Sequence, residues 1–576
     1  MSFYDKYQKY KKKYVDLKNN EEFENSINFN QTGGSRRLSK KLSKRLSKKL
    51  PKRISIDATT NVKCIVILDY GSQYTKLITR RIRELGYFSL ILPYSATLER
   101  IKKASPYAII LSGGPSSVYD VGSPQIVEGL LEYQEKEKIP LLGICYGMQL
   151  LGHTLGGIVT RANKREYGRM KVLPTEGVKS ALFQPGENFE AWMSHGDEVT
   201  KLPDGFEITA RSESGSMAAI ENISKKRLGL QFHPEVKHTE GGTEIIKRFL
   251  KDFAGLTPDW TMESILEEKL KKIKAQIGKD EHVVCGLSGG VDSAVAAVLI
   301  HRVIGDRLHC IFVDQGLLRF NERDRVMKLF NDKLKLPVTC LDHSIISKLA
   351  GISDPETKRK LIGSEFIRSF KFAAEDISKK IGYKPKYLLQ GTIYPDVIES
   401  NPDHTIKSHH NVGGLPKDLG FELVEPLRDL FKDEVRELGS HLNIPHEFLK
   451  RHPFPGPGLA IRVLGEITFE KLEILRHVDE IFIQSIRDAG LYDKIWQAFA
   501  VFLPIKSVGV QGDSRTHDWV VGLRAVTSSD GMTADWYPFE HKFLADVSNK
   551  ICNEVKGVNR VVYDITSKPP GTVEWE

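Results

Sequence analysis

From residue 61 onward short apolar runs alternate with longer amphipathic stretches, and no other feature constrains the fold of this chain as much. Cys64–Leu68, Ala108–Leu111 and Pro140–Leu142 are such runs, each with the length of a buried strand. The alternation predicts an α/β architecture, with helices packed over largely parallel sheets. At 576 residues the chain is too long for one hydrophobic core and calls for two or three domains. No run approaches the roughly 20 apolar residues that span a bilayer, and Met1–Lys13 is polar and charged, so a soluble, cytoplasmic protein is expected.

The formal charge of +10 is unevenly placed. Residues 1–60 hold 16 basic and 6 acidic residues, which leaves 68 of each in the rest. The globular body is therefore neutral, and a basic nucleic-acid-binding core is not expected. In the tail Leu42, Leu46 and Leu50 recur every four residues among lysines and serines. Such a biased repeat reads as a disordered, solvated arm, with a nuclear address, a contact to an anionic surface and a contact to nucleic acid as the alternatives. Cys64, Cys285 and Cys310 sit in apolar runs and are expected to be buried thiols, with no disulfide or zinc framework.

Two of the apolar runs end in glycine turns that carry chemistry. Pro140–Leu142 leads into Gly143-Ile144-Cys145-Tyr146-Gly147-Met148-Gln149, with a helix expected over 146–156. A thiol at a helix N-terminus faces the positive end of the dipole, which favours thiolate. Most such cysteines are simply core residues, but the run Leu228–Phe232 delivers His233-Pro234-Glu235, an imidazole and a carboxylate on one loop. His233 would take the thiol proton and pass it to the leaving group, and Glu235 would orient the ring. Ser112-Gly113-Gly114-Pro115 follows another strand, and its backbone N–H groups with that of Tyr146 would hold an oxyanion.

Farther along, Thr261–Ile277 reads as an amphipathic helix joining two domains, and His282–Leu287 then runs through Ser288-Gly289-Gly290-Val291-Asp292-Ser293 into the apolar helix 294–300. Strand, glycine turn and helix N-terminus make a phosphate cradle in which Ser288 and Ser293 add hydroxyl donors. The lysine of a Walker loop is missing at this spacing. Asp292 would help place a magnesium ion on the phosphates. Val313–Arg319 and Gln390–Asp396 also end apolar runs, where α/β sheets gather ligand contacts.

With these motifs in view, G-x-C-x-G-x-Q, S-G-G-P and H-P-E over residues 61–255 resemble the class I glutamine amidotransferase family, and S-G-G-V-D-S resembles the PP-loop of the ATP pyrophosphatase family. The first resemblance implies glutamine hydrolysis through a thioester on Cys145, with Gly114 and Tyr146 at the oxyanion and Gln149 and Met193–Asp197 near the glutamine. The second implies adenylation by ATP with release of pyrophosphate.

His452-Pro453-Phe454-Pro455-Gly456-Pro457-Gly458 and Asp564–Glu576 resemble the GMP synthetase family. That likeness implies xanthosine monophosphate (XMP) as acceptor, with Arg319, Asp396, Gln511, Lys568 and Glu574 as its contacts, Lys407 on a closing lid, and a homodimer paired through the C-terminal domain. Gln315 and the tail depart from the family pattern. The expected plan is a tail over 1–60, doubly wound α/β domains over 61–255 and 256–451, and a small α+β dimerisation domain over 452–576. Two rivals remain at this point: another glutamine-using ligase such as an NAD synthetase, and a basic-tailed scaffold whose catalytic body is inactive.

Overall fold

The computed structural model describes residues 63–399, 420–511, 513–528 and 533–576. The tail and Lys407 lie outside the described residues, and so does the side chain of Gln511. Asn61–Lys102 with Pro106–Glu576 form one compact unit. The other unit, Met1–Thr60 with Lys103–Ser105, has three described residues, the last of the helix Leu98–Lys103 and the two that follow it.

The first sheet is built from β1 (Cys64–Asp69), β2 (Phe88–Pro93), β3 (Pro106–Leu111), β4 (Leu141–Ile144), β5 (Ile158–Pro174), β6 (Phe189–Lys201), β7 (Glu207–Ser212), β8 (Met217–Asn222) and β9 (Arg227–Leu230), in the order β2-β1-β3-β4-β9-β8-β7-β5-β6. The strands from β2 to β9 in that order run parallel. Helices α1 (Thr75–Glu84) and α2 (Tyr146–Thr154) belong to this half, and β4 is buried along its whole length, so its strand reads as a continuous apolar run. The four remaining strands extend the sheet antiparallel, so this domain is not purely doubly wound. Along β6 buried residues alternate with more exposed ones, the pattern of a strand with one face to the core.

Helix α3 (Met262–Gln276) leads onward. It is stopped at its N-terminus by Thr261, whose hydroxyl accepts from Ser264 N–H while Ser264 reciprocates. The second sheet, all parallel, holds β10 (Val283–Leu287), β11 (Leu308–Asp314), β12 (Val338–Asp342), β13 (Tyr387–Leu389) and β14 (Glu422–Val424) in the order β12-β11-β10-β13-β14. Strand order reverses at β10, which feeds α4 (Val291–Ile304), so the crevice beyond β10 is the topological switch point where such sheets take ligands. Helices α5 (Pro355–Ile381) and α6 (Lys432–His441) follow in this domain.

After α7 (Phe469–Asp488), β15 (Gln497–Gln511) and β16 (Ser514–Thr527) form a long hairpin, with β17 (Asp535–Trp536) and β18 (Val558–Tyr563) on the other edge of β16 and α8 (His541–Glu554) between them in sequence. This is the expected α+β segment. Its core also takes in Leu317, Ile345, Leu349 and Ile362, which lie before residue 452. Cys64, Cys285 and Cys310 are buried in β1, β10 and β11 as expected.

Candidate active sites

Strands β3, β4 and β9 are neighbours, with Leu111 opposite Gly143 and Ile144 opposite Leu230, so their carboxyl ends bring Ser112–Gly114, Cys145 and His233 side by side. Cys145 caps α2 with φ 51° and ψ −106°, a strained backbone of the kind found at nucleophile turns, costing about 1–3 kcal/mol. The turn tolerates it because Cys145 N–H bonds Leu230 O at 2.7 Å and because Gly147 packs flush on β3. A Cβ on Gly147 would lie 2.3 Å from Leu111 O.

His233 Nδ1 meets Glu235 Oε1 at 2.8 Å, and both side chains are buried. The carboxylate accepts a hydrogen bond from Nδ1–H and leaves the other ring nitrogen for the Cys145 thiol, with which the ring is in hydrogen-bond contact. Burial opposes a charged ring, but the Glu235 carboxylate and Cys145 outweigh it and hold the His233 pKa well above its ordinary value. The loop is fixed by Thr239 Oγ1 donating to His233 O (2.6 Å), by Arg81 Nε donating to Glu235 O (3.1 Å), and by the Tyr74 ring standing edge-on to the imidazole at 5.0 Å. A Cβ on Gly114 would sit 3.4 Å from the Tyr146 ring, which places both expected oxyanion residues together. Tyr146 N–H lies in the first turn of α2, where no carbonyl of the helix can reach it.

Gln149 and the Met193–Asp197 segment are also brought together. The amide nitrogen of Gln149 donates to Asp197 O (2.7 Å) and to Gln231 Oε1 (3.3 Å). His195 bonds Asp197 O through Nδ1 (3.0 Å) and Glu166 through Nε2 (2.9 Å), a buried pair. Burial raises the Glu166 pKa, but hydrogen bonds from His195, Ser212 and Ser214 overcome it and set the pKa below its usual range. The Asp197 carboxylate accepts from Ser117 (2.5 Å) and Tyr119 (2.8 Å) and so ties the wall of the pocket to the loop beyond Gly114.

At the second site Gly289 takes φ +74° and Gly290 caps α4, which curls Ser288–Ser293 so that the two serine hydroxyls lie 3.1 Å apart. Gly391, beyond β13, packs against this turn, where a Cβ would stand 3.0 Å from Ser293 N. Both Asp292 oxygens lie 2.6 Å from Lys432 Nζ, and Arg451 donates to Gly289 O (3.1 Å). Val291 begins α4. Two cations thus stand at the cradle from residues that no local motif marked.

The expected acceptor residues divide. Arg319 is half-buried, its Nε 3.2 Å from Asp479, its guanidinium 5.0 Å from the Phe454 ring centre. Glu574 takes Arg462 in a two-point bond (3.1 and 2.9 Å) and Gln497 Nε2 at 2.7 Å. Arg462 covers Phe454 and Phe499, and the charge of Glu574 reaches Arg319, so these residues form one cluster around the Pro/Gly string. Lys568 pairs by its backbone with Ala534 on the edge of the third sheet. Asp396 accepts from Ile393 N–H (3.0 Å) at the start of the helix Tyr394–Glu399. Gln511 ends β15, fourteen residues and so about 45 Å along the strand from Gln497. Gln315 is buried and bonds Ile362 O at 3.1 Å.

His452 opens the same string. Its Nδ1 accepts from Ala498 N–H (3.2 Å) and its Nε2–H donates to Tyr492 O (3.0 Å), with the ring stacked on Tyr492 at 3.9 Å, which fixes a neutral tautomer. Burial foremost, with Arg319 and Arg487 against the raising bond to Tyr492, brings its pKa down to about 4. The unfolded chain therefore binds the proton first, and this contribution to stability, complete above pH about 6.5, is lost as pH falls toward about 4. We expect about 3 kcal/mol of acid sensitivity from this ring. Urea midpoints measured across that range should depend less on pH in His452→Gln, and an unchanged slope would refute the assignment.

Residues 66–253 match the family model for class-I glutamine amidotransferases, and 261–342 match that for NAD synthases. A cysteine amidotransferase fold joined in one chain to an ATP-using phosphate-loop fold defines a glutamine-dependent amide ligase. Residues 484–575 match the C-terminal domain of GMP synthases, and GMP synthases (glutamine-hydrolyzing) resemble the chain throughout: that of Bradyrhizobium sp. (strain ORS 278) is 54% identical, covering 89% of this chain and 96% of its own, and those of Bradyrhizobium diazoefficiens and Chlorobium luteolum are 54% and 53% identical, each covering 89% of this chain and 93% and 100% of their own. The chain belongs to the family of glutamine-hydrolysing GMP synthases.

Proposed function

We propose that the chain converts XMP, ATP, glutamine and water to GMP, AMP, pyrophosphate and glutamate, with the following residues carrying the steps. The observation that carries the glutaminase half is the strained Cys145 at the head of α2 with the bonded pair His233 and Glu235 beside it. Cys145 gives its proton to His233, the sulfur attacks the glutamine amide carbon, and the oxyanion sits on the N–H groups of Gly114 and Tyr146. His233 returns the proton to the departing nitrogen, ammonia leaves, and water, deprotonated by the same ring, cleaves the thioester to glutamate.

Ser288–Ser293 would cradle the ATP phosphates while the XMP carbonyl oxygen attacks the α-phosphorus and pyrophosphate departs. Ammonia then displaces AMP at that carbon. Among the described residues no group of three or more metal-ligating side chains gathers. One carboxylate beside a phosphate cradle is nonetheless a donor set that magnesium accepts when the nucleotide supplies most of the oxygens. Asp292 would hold it in exchange for Lys432, and the ion would offset charge on the phosphates. Arg319, Asp396, Lys568 and Glu574 are the proposed acceptor residues on the chain.

Domain limits at 255 and 451 are proposed, although the C-terminal core reaches back to Leu317, Ile345, Leu349 and Ile362. A homodimer is proposed because Ile505, Val508 and Val510 are exposed apolar residues near the hairpin end, and because a Gln511 about 45 Å from Gln497 along β15 would reach an acceptor only from a partner chain. A solution mass of one chain would overturn that. Among the described residues no helix is long and apolar enough to cross a membrane, and a cytoplasmic location is proposed. The tail remains a candidate for an anionic partner, read out by salt-dependent binding of residues 1–60. The deciding assay for the activity is GMP and pyrophosphate formation from XMP, ATP and magnesium with glutamine or with ammonium as nitrogen source. GMP from both is expected. GMP from neither would remove the acceptor assignment.

A further inference from the structure

The sulfur of Cys145 has a neighbour that the triad does not use. Gln231 Nε2 lies 3.8 Å from Sγ, within reach of an N–H···S bond, and the Gln231 side chain is buried two residues before His233. The direction of its amide follows from the groups behind it. Asp197 O can only accept, so the group of Gln149 that stands 2.7 Å from it must be the NH2. The same NH2 reaches Gln231 at 3.3 Å and requires the oxygen there, which turns the Gln231 NH2 onto the sulfur. His195, held by Glu166, bonds the same Asp197 carbonyl at 3.0 Å and keeps that carbonyl in place.

We propose that Gln231 is a catalytic residue of the glutaminase site, donating a hydrogen bond to the Cys145 thiolate in a direction set by Gln149 and the Asp197 carbonyl. The need for such a donor is local. Ser194 O stands 3.8 Å from Sγ, an acceptor suited to the thiol proton but repelling a thiolate, and an N–H on the sulfur offsets it once the proton has gone to His233. A sulfur with donors on two sides is held in one direction as it attacks. The inference rests on Cys145 as the nucleophile.

The test is the pH dependence of iodoacetamide alkylation at Cys145, followed by mass spectrometry on its peptide, in the full chain and in Gln231→Leu and Gln231→Glu. Loss of the donor should raise the midpoint by about one pH unit and lower glutaminase kcat/KM at neutral pH roughly tenfold. The carboxylate of Gln231→Glu should raise the midpoint further. Ammonium-driven GMP formation, which bypasses this site, reports whether each variant is folded. If the leucine variant fails that control, the isosteric Gln231→Glu decides. An unshifted midpoint in a folded variant overturns the proposal, whereas a Cys145→Ala chain that still hydrolyses glutamine would overturn the triad reading beneath it.

Discussion

Cys145→Ala is expected to lower glutamine-driven GMP formation by roughly four orders of magnitude or more while leaving ammonium-driven formation near the wild-type rate. The size follows from the role. Without the thiol there is no thioester, and His233 with Glu235 has no nucleophile to deprotonate, so what remains is oxyanion stabilisation and binding alone. The selectivity follows from position. Cys145 is buried in the core of the first domain, and the cradle at Ser288–Ser293 belongs to a different sheet. Removing one sulfur from a small buried side chain costs little packing, so the fold should survive. Rates with the two nitrogen sources, measured on one preparation, check it: equal loss of both would mean that the variant had unfolded or that the two activities share a site.

Most of that argument was readable from the chain alone because its parts are contiguous. Gly143–Gln149, His233–Glu235 and Ser288–Ser293 each place a reactive group within a few residues of the turn that presents it, and turn chemistry is local. The glycine requirement at Gly147 and the capping of α3 by Thr261 and Ser264 are local in the same sense. The extra antiparallel strands β5–β8 were not read. The alternation along β6 is a surface-strand pattern, and nothing in it says that the strand extends a parallel sheet rather than forming its own.

Groups that meet only after folding left no trace in local spacing. Lys432 reaches Asp292 across 140 residues, and Arg462 finds Glu574 across 112. The run Leu228–Phe232 reads as a strand that delivers the histidine, and the structure has a strand there over Arg227–Leu230 but also brings the Gln231 amide to the Cys145 sulfur, which the pattern does not signal. Polar residues inside apolar runs were thus the informative ones, since burial obliges each to find a partner. Glu574 reads differently for the same reason. A glutamate in a Pro/Gly-rich segment suggests a solvated end, yet here it is held by Arg462 and Gln497 beneath Phe454.

Arg83→Met should destabilise the chain by about 3–5 kcal/mol and loosen the junction between the two catalytic domains, because it breaks a buried ion pair between α1 of the first domain and α6 of the second. Arg83 NH1 lies 2.7 Å from Glu434 and donates to Asp429 O at 2.7 Å, while NH2 donates to Ser89 O at 2.9 Å. Four rings, Phe88, Trp260, Tyr394 and Phe431, surround the guanidinium with centres 4.9–5.5 Å away. Methionine fills much of the space but leaves Glu434 charged and buried, with only Trp260 Nε1 and Phe431 N–H to hold it.

Position gives the same residue a functional reach. Arg83 ends α1, whose other residues touch the catalytic loop through Arg81 and whose leading Tyr74 lies against His233. Tyr394, in the cage, accepts a bond from Ile91 N–H and begins the helix that bears Asp396. We therefore expect Arg83→Met to release more glutamate per GMP than the wild type, with glutamine hydrolysis and ammonium-driven synthesis each better preserved than their coupled sum. Adding Glu434→Leu should recover much of the stability, since no buried charge is then left alone. Urea unfolding of the two singles and the double, with the glutamate-to-GMP ratio measured beside it, decides the matter. A stability change under about 1 kcal/mol in the single variant would mean that the pair is screened and that the cage is held by ring packing alone.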